Sequence, residues 1–427
     1  MHQIVLPYGN TQLKADLSQG RCLGTIDIAP APALANPAEA IRAALDRPIG
    51  MDESLFDCVC AGERVAILVS DSFRQTRADQ MLPVLLDGLL ARGVREQDLS
   101  IVFSTGTHRG PSPEEQAEIL GKGVFEKYRD QLFVHDPWDA DALVHIGDTR
   151  RGTRVELNKR VHESDRIIVT GSVVLHYFGG YGGGRKSVVP GIASARTIAQ
   201  NHSLNLDPGS DRLDPAVEIG RLDGNPVAED MLEATRLTHV DGIVNTVLNQ
   251  QGQIAGVFAG ELDAAHRAAC VFAEQLFCVD GADQADLVIA ASPNTRNFVQ
   301  THKALFNAWQ ALKPGGRIVL AAPCPEGLGG EQFSQWLELG DRAAVIAKLR
   351  EHSEINGQTA LSVLEKAPST HLISELGTED TRLLGMHRAA ALDEALNDAI
   401  AALARPEFTY LLMPSAAYTV PIFSEDP

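Results

Sequence analysis

Residues 165–191 read DRIIVTGSVVLHYFGGYGGGRKSVVPG. After Arg166 the first half carries no charge and is rich in Val and Ile, the pattern of a strand buried on both faces. At His176 the chain changes character. The sixteen residues 176–191 hold six glycines and the adjacent cations Arg185 and Lys186. A buried strand that runs into glycine and positive charge suggests backbone wrapped around an anion, because in α/β sheets ligands bind beyond the carboxyl ends of the strands.

The same rhythm extends on both sides. RVAILVSD (64–71) reads as a buried strand, and ADQMLPVLLDGLLARG (78–93) as an amphipathic helix. LSIVFSTGTHRG (99–110) is strand then loop, and SPEEQAEIL (112–120) opens with a Ser-x-x-Glu capping box. ADLVIAASP (285–293), FVQTHKALFNAWQALK (298–313) and RIVLAAPCPEG (317–327) repeat strand, helix, strand. This alternation predicts two α/β domains with mainly parallel sheets and an active-site cleft between them. The expected bounds are 1–270 and 275–412, with 413–427 returning to the first domain. ELDAAHRAACVFAEQLF (261–277) is the expected connecting helix.

Composition narrows the function. At 427 residues and a formal net charge of −19, the chain has no basic face for nucleic acid. No apolar run approaches the roughly 20 residues of a membrane span. The start lacks a signal peptide's basic and apolar regions, and the six scattered cysteines form no zinc pattern. A cytoplasmic protein acting on a small molecule, with no nucleic-acid or membrane partner, is the expectation; oligomeric state is not legible.

Three strand ends carry candidate chemistry. The first supplies Asp71, able to orient a hydroxyl or cation, and Arg74, a planar fork for a carboxylate. The second supplies Thr105, Gly106 and Thr107, whose backbone suits a phosphate, and His108, which can accept a proton near neutral pH. The third is the glycine stretch. It nearly matches a Walker A loop, but Arg185 stands where glycine must precede the lysine, so an ATPase reading fails. What remains is His176, Lys186 and, sixteen residues on, His202, whose spacing is not that of a helical zinc pair. Gln300 and Lys303, three apart on a helix, share a face and can clamp a carboxylate.

Together, SDSFR, STGTHRG, HYFGGYGGGRKSVVPGIA, the Asn-His at 201–202 and QTHKAL resemble, in order and spacing, the nickel-dependent lactate racemase family. The resemblance implies a racemase or epimerase of a 2-hydroxy acid. It implies nickel held in pyridinium-3,5-bisthiocarboxylic acid mononucleotide, a nickel-pincer nucleotide, tethered to Lys186 with His202 as nickel ligand. Asp71 and residues 105–107 match positions near the cofactor. His108 and His176 would exchange the hydroxyl proton while hydride leaves C2 and returns to the other face. Arg74, Gln300 and Lys303 would hold the carboxylate. Proteins that make and insert the cofactor are implied partners. Around Gln300 the sequence SPNTRNFV differs from lactate-type members, so Phe298 and Val299 are expected to shape the pocket and Arg296 to meet a second carboxylate. Two other readings stay open: a nicotinamide dehydrogenase, although no G-x-G-x-x-G follows the first strand, and a non-catalytic nickel or cofactor carrier.

Overall fold

A computed structural model describes residues 2–281, 283–351 and 354–423. The chain divides into two compact units. One holds Pro30–Pro208 and Leu213–Glu274; the other gathers the residues up to Ala29, Gly209–Arg212 and the chain from Gln275 onward.

The sheet of the first unit has six strands: β1 (Val65–Ser70), β2 (Leu99–Ser104), β3 (Leu132–Val134), β4 (Arg166–Ser172), β5 (Gly242–Leu248) and β6 (Ile254–Gly260). Their order is β6-β5-β4-β1-β2-β3. All neighbours are parallel except β5 and β6. Every residue of β1 is buried, which is why its sequence runs apolar without alternation. Helix α1 (Ala78–Ala91) packs Met81, Leu82, Leu85 and Leu89 against Ile67, Val69 and Phe103. Each such side chain contributes about 1.5–3 kcal/mol by leaving water. From β1 the chain builds outward through β2 and β3, then returns to lay β4 on β1's other edge. The carboxyl ends of β1 and β4 therefore flank a topological switch point, where loops leave in opposite directions and open a crevice.

The second unit's sheet comprises β7 (Ala285–Ala291), β8 (Leu312–Ala321), β9 (Thr370–Ile373), β10 (His387–Ala389) and β11 (Thr409–Met413). It runs β10-β9-β8-β7-β11 and ends on the strand Arg21–Thr25, parallel throughout. That last pairing explains why the first 29 residues cluster here and not with 30–208, where the sequence reading had put them. Residues 413–423 stay in this unit too, and 424–427 lie outside the described residues. The hairpin His2–Tyr8 and Thr11–Leu17 adds Ile4, Leu6 and Leu17 to this unit's core. The helix Ala264–Phe277 spans the division between the units. Among the described residues no helix is long and apolar enough to cross a membrane.

Candidate functional site

The crevice of the first unit is built from the loops after β1, β2 and β4. Directly after β1, Asp71 is buried and its Oδ2 lies 2.7 Å from His108 Nδ1, while its Oδ1 accepts the Phe73 N–H at 3.0 Å. A carboxylate only accepts, so His108 carries its proton on Nδ1 and keeps the Nε2 lone pair for chemistry. The Phe73 ring packs 4.9 Å from the imidazole and limits its rotation. Sequence reasoning put Asp71 beside a cofactor; its contact in the structure is with His108. Arg74 follows, half-buried, and makes no ion pair among the described residues. A cation so placed suits a carboxylate ligand.

The loop after β4 gathers the other candidates. A two-residue ladder, Leu175–His176 with Gly180–Tyr181, folds the glycine stretch back on itself. His176 Nδ1 accepts the Gly179 N–H at 3.2 Å, and its Nε2 lies 3.1 Å from Lys186 Nζ. The Phe178 ring is their common neighbour. Its centroid is 4.6 Å from that of His176, 4.6 Å from that of His202 and 5.0 Å from Lys186 Nζ. The structure thus brings His176, Lys186 and His202 around one aromatic ring that sequence reasoning missed; its place inside the HYFGG run was the available signal. His202 sits in the last turn of a short helix, α2 (Ala195–Ser203), only 2% exposed. Burial, then the charge of Lys186, brings its imidazole down to about 3, so it stays neutral, the form that binds metal.

Arg185 does not join Lys186 in the crevice. It turns to Asp263 and to the Ala228 carbonyl, buried, as a structural pin. The glycines are equally specific. Gly184 has φ +50°, and a Cβ there would meet the His266 ring at 2.6 Å. His266 in turn bonds the Gly182 carbonyl at 2.9 Å, so the helix α3 (Ala264–Phe277) braces the loop from behind.

The Thr105–Thr107 turn is only partly available to a phosphate. The Thr105 hydroxyl donates to the His135 carbonyl at 2.9 Å, and the Gly106 N–H donates to the Gly191 carbonyl at 3.0 Å. The first bond ties the turn to the end of β3 and the second to the glycine stretch. Other groups were overlooked in the sequence. The hydroxyls of Ser72, Ser104 and Ser172 are buried without a hydrogen-bond partner among the described residues. They stand at or just past the carboxyl ends of three adjacent strands, β1, β2 and β4. An unsatisfied buried hydroxyl costs about 1–3 kcal/mol, and three of them stand together at one sheet end. Their position at strand ends was the clue, although serine there is too common to read alone.

In the second unit, Gln300 and Lys303 lie half-buried on α4 (Phe298–Gln310), which follows β7 beside that sheet's own switch point between β7 and β11. Two neighbouring expectations need correction. Phe298 is fully buried in the core and lines no pocket, because it faces inward from the first helical position. Arg296 pairs with Glu326 at 3.8 Å, with 42% of its side chain exposed, so its charge is already answered. Val299 is half-buried. Among the described residues no three His, Cys, Asp or Glu side chains group as a metal site.

Comparison with known proteins matches this geometry to a family. The profile of the lactate racemase N-terminal domain matches residues 8–212, and that of the lactate racemase C-terminal domain matches 281–414. A lactate racemase of Thermoanaerobacterium thermosaccharolyticum is 32% identical over 343 residues, covering 79% of this chain and 78% of that protein. One of Lactiplantibacillus plantarum is 31% identical over 420 residues, covering 94% and 95%. The solved lactate racemase apoprotein of T. thermosaccharolyticum superposes with a TM-score of 0.87 at 28% identity, over 99% of this chain and all of that one. A Thermotoga maritima protein shares the fold, with a TM-score of 0.70 at 17% identity over 93% of this chain. With both profiles matched in order and relatives above 30% identity across most of its length, the chain belongs to the lactate racemase family.

Proposed function

We propose that this protein is a nickel-dependent racemase of a 2-hydroxy acid, with lactate, named in both relatives, the first substrate to try. The observation that carries the reading is the convergence of His176, Lys186 and His202 on the Phe178 ring. A buried neutral imidazole at His202, with no three His, Cys, Asp or Glu side chains grouped as a metal site among the described residues, fits a metal whose other ligands come from an organic cofactor. The partnerless hydroxyls of Ser72, Ser104 and Ser172 fit the oxygens of a nucleotide phosphate or ribose at the same sheet end. The residues present therefore suit a nickel-pincer nucleotide, with Lys186 as tether and His202 as nickel ligand. When bound, that cofactor supplies a hydride acceptor, which spares the reaction a carbanion beside a carboxylate.

The chain's own residues then do the rest. His108, oriented by Asp71, takes the substrate hydroxyl proton at Nε2, and His176 serves the opposite enantiomer. Arg74 grips the carboxylate and turns the C2 hydrogen toward the acceptor, and the family resemblance gives Gln300 and Lys303 the same carboxylate-holding role.

The test is production of the protein together with the enzymes that make the cofactor, followed by two measurements. Peptide mass spectrometry across Lys186 should find an added mass, and chiral chromatography should find L-lactate converted to the racemate. An adduct without lactate turnover moves the substrate to another 2-hydroxy acid. No adduct and no nickel in the purified protein would overturn the reading.

A further inference from the structure

The Asn-His pair of the sequence leaves one residue unused, since only His202 has a role as metal ligand. Asn201 is wholly buried, and its Nδ2 donates to Asp230 Oδ2 at 2.9 Å and to the Val227 carbonyl at 3.1 Å. Asp230 is also wholly buried, on the helix Pro226–Thr235. It accepts Thr149 Oγ1 at 2.5 Å and Thr153 Oγ1 at 2.8 Å as well. The other acids of that helix, Glu229 and Glu233, reach outward to Arg151 and Arg150. Asp230 is left to two hydroxyls and an amide.

Among the described residues this carboxylate is held by neutral donors alone, a costly arrangement where apolar packing would fill the same space at less expense. Its geometry supplies something packing does not. Helix α2 spans nine residues, too short to hold its own position without tertiary contacts. Further ties run to the strand Arg154–Asn158, where Thr197 Oγ1 donates to the Arg154 carbonyl at 2.7 Å and Gln200 accepts the Arg154 N–H at 2.9 Å, and to the Pro137 carbonyl, which accepts the Ala195 N–H at 3.0 Å. Asn201, one turn on from Thr197, ties the helix to Asp230 on a second element, one residue from His202. Together they fix the rotation of α2 about its axis. A turn of about 15° would move a ring nitrogen roughly 6 Å from the axis by about 1.5 Å. Metal bonds tolerate about 0.2 Å.

We propose that Asp230, with Thr149, Thr153 and Asn201, is a positioning device for the metal-ligating imidazole of His202. The inference rests on the nickel reading above. The experiment follows nickel retention rather than turnover. Loaded protein is placed in excess EDTA, and the nickel remaining with it is measured over time by plasma mass spectrometry. Asp230→Ala and Asn201→Ala should each lose nickel at least about tenfold faster than the parent, the lower end of what loss of support around a metal ligand costs. Asp230→Asn, which keeps one acceptor oxygen, should fall between. Glu233→Gln, on the same helix but turned to Arg150, should match the parent. If Asp230→Ala does not fold, Asn201→Ala decides alone, since it removes the bonds to Asp230 and the Val227 carbonyl and leaves the carboxylate with its two hydroxyls. Nickel loss from Asn201→Ala at the parent's rate would overturn the proposal while leaving the nickel reading standing. A parent that holds no nickel would overturn that reading itself.

Discussion

At the scale of single residues, the informative contact is the one between Asp71 and His108. Sequence alone made Asp71 a cofactor neighbour and His108 a base, with nothing to connect them across 37 positions. The fold connects them because β1 and β2 are adjacent and parallel, so their carboxyl ends, and the loops that follow, meet. An Asp that holds a catalytic histidine in one tautomer is worth far more to the rate than to binding. Asp71→Asn should therefore lower kcat for the racemised 2-hydroxy acid by about 10²–10⁴, with KM changed by less than about threefold. Steady-state kinetics against both enantiomers checks this; a rise in KM alone would return Asp71 to a binding role.

At the scale of elements, the glycine stretch works because it is braced. Glycine content announced a backbone in unusual conformations, and Gly184 has the positive φ that expectation requires. What the sequence did not announce is the brace, His266 on α3, about 80 residues later, packed against Gly184 and bonded to Gly182. Gly184→Ala should cost about 2 kcal/mol or more through both the left-handed backbone and the clash at 2.6 Å. Gly123→Ala, in the helix Lys122–Lys127 with nothing within 4 Å of the new Cβ, should be neutral or stabilising by up to about 1 kcal/mol. Urea unfolding of the two variants reads the difference. Equal midpoints would mean that the loop relaxes around the added methyl.

At the scale of the whole molecule, buried histidines tie stability to pH. Burial, then the charge of Arg185, brings His266 down to about 4. Burial, then Lys366, brings His302 down to about 3, where its Nε2 lies 2.8 Å from the Ser362 hydroxyl. An unfolded chain protonates these imidazoles below about 6.5, and the folded one does not until far lower. The unfolded state thus binds more protons in that window, and stability falls as pH falls, by about 1.4 kcal/mol per pH unit for each group. Thermal melts of the protein should drop steadily from pH 7 to pH 5, and His302→Gln should show a shallower slope. A flat profile would mean that both rings carry a proton in the folded state.

Much of this protein was legible in residue order alone. Unbroken apolar runs ending in glycine, hydroxyl and charge declared mainly parallel α/β sheets with the candidate residues at their strand ends, because a strand covered on both faces has no polar positions to alternate. The motifs and their order carried the family, since glycine and histidine at those intervals answer to a local backbone and a local chemistry. Tertiary structure alone decided partnerships: Asp71 with His108, Asn201 with Asp230, Phe178 between three candidates, and the N-terminal strand beside Thr409–Met413. Those depend on which strands lie next to each other, and adjacency is settled by the packing of the whole chain rather than by any segment of it.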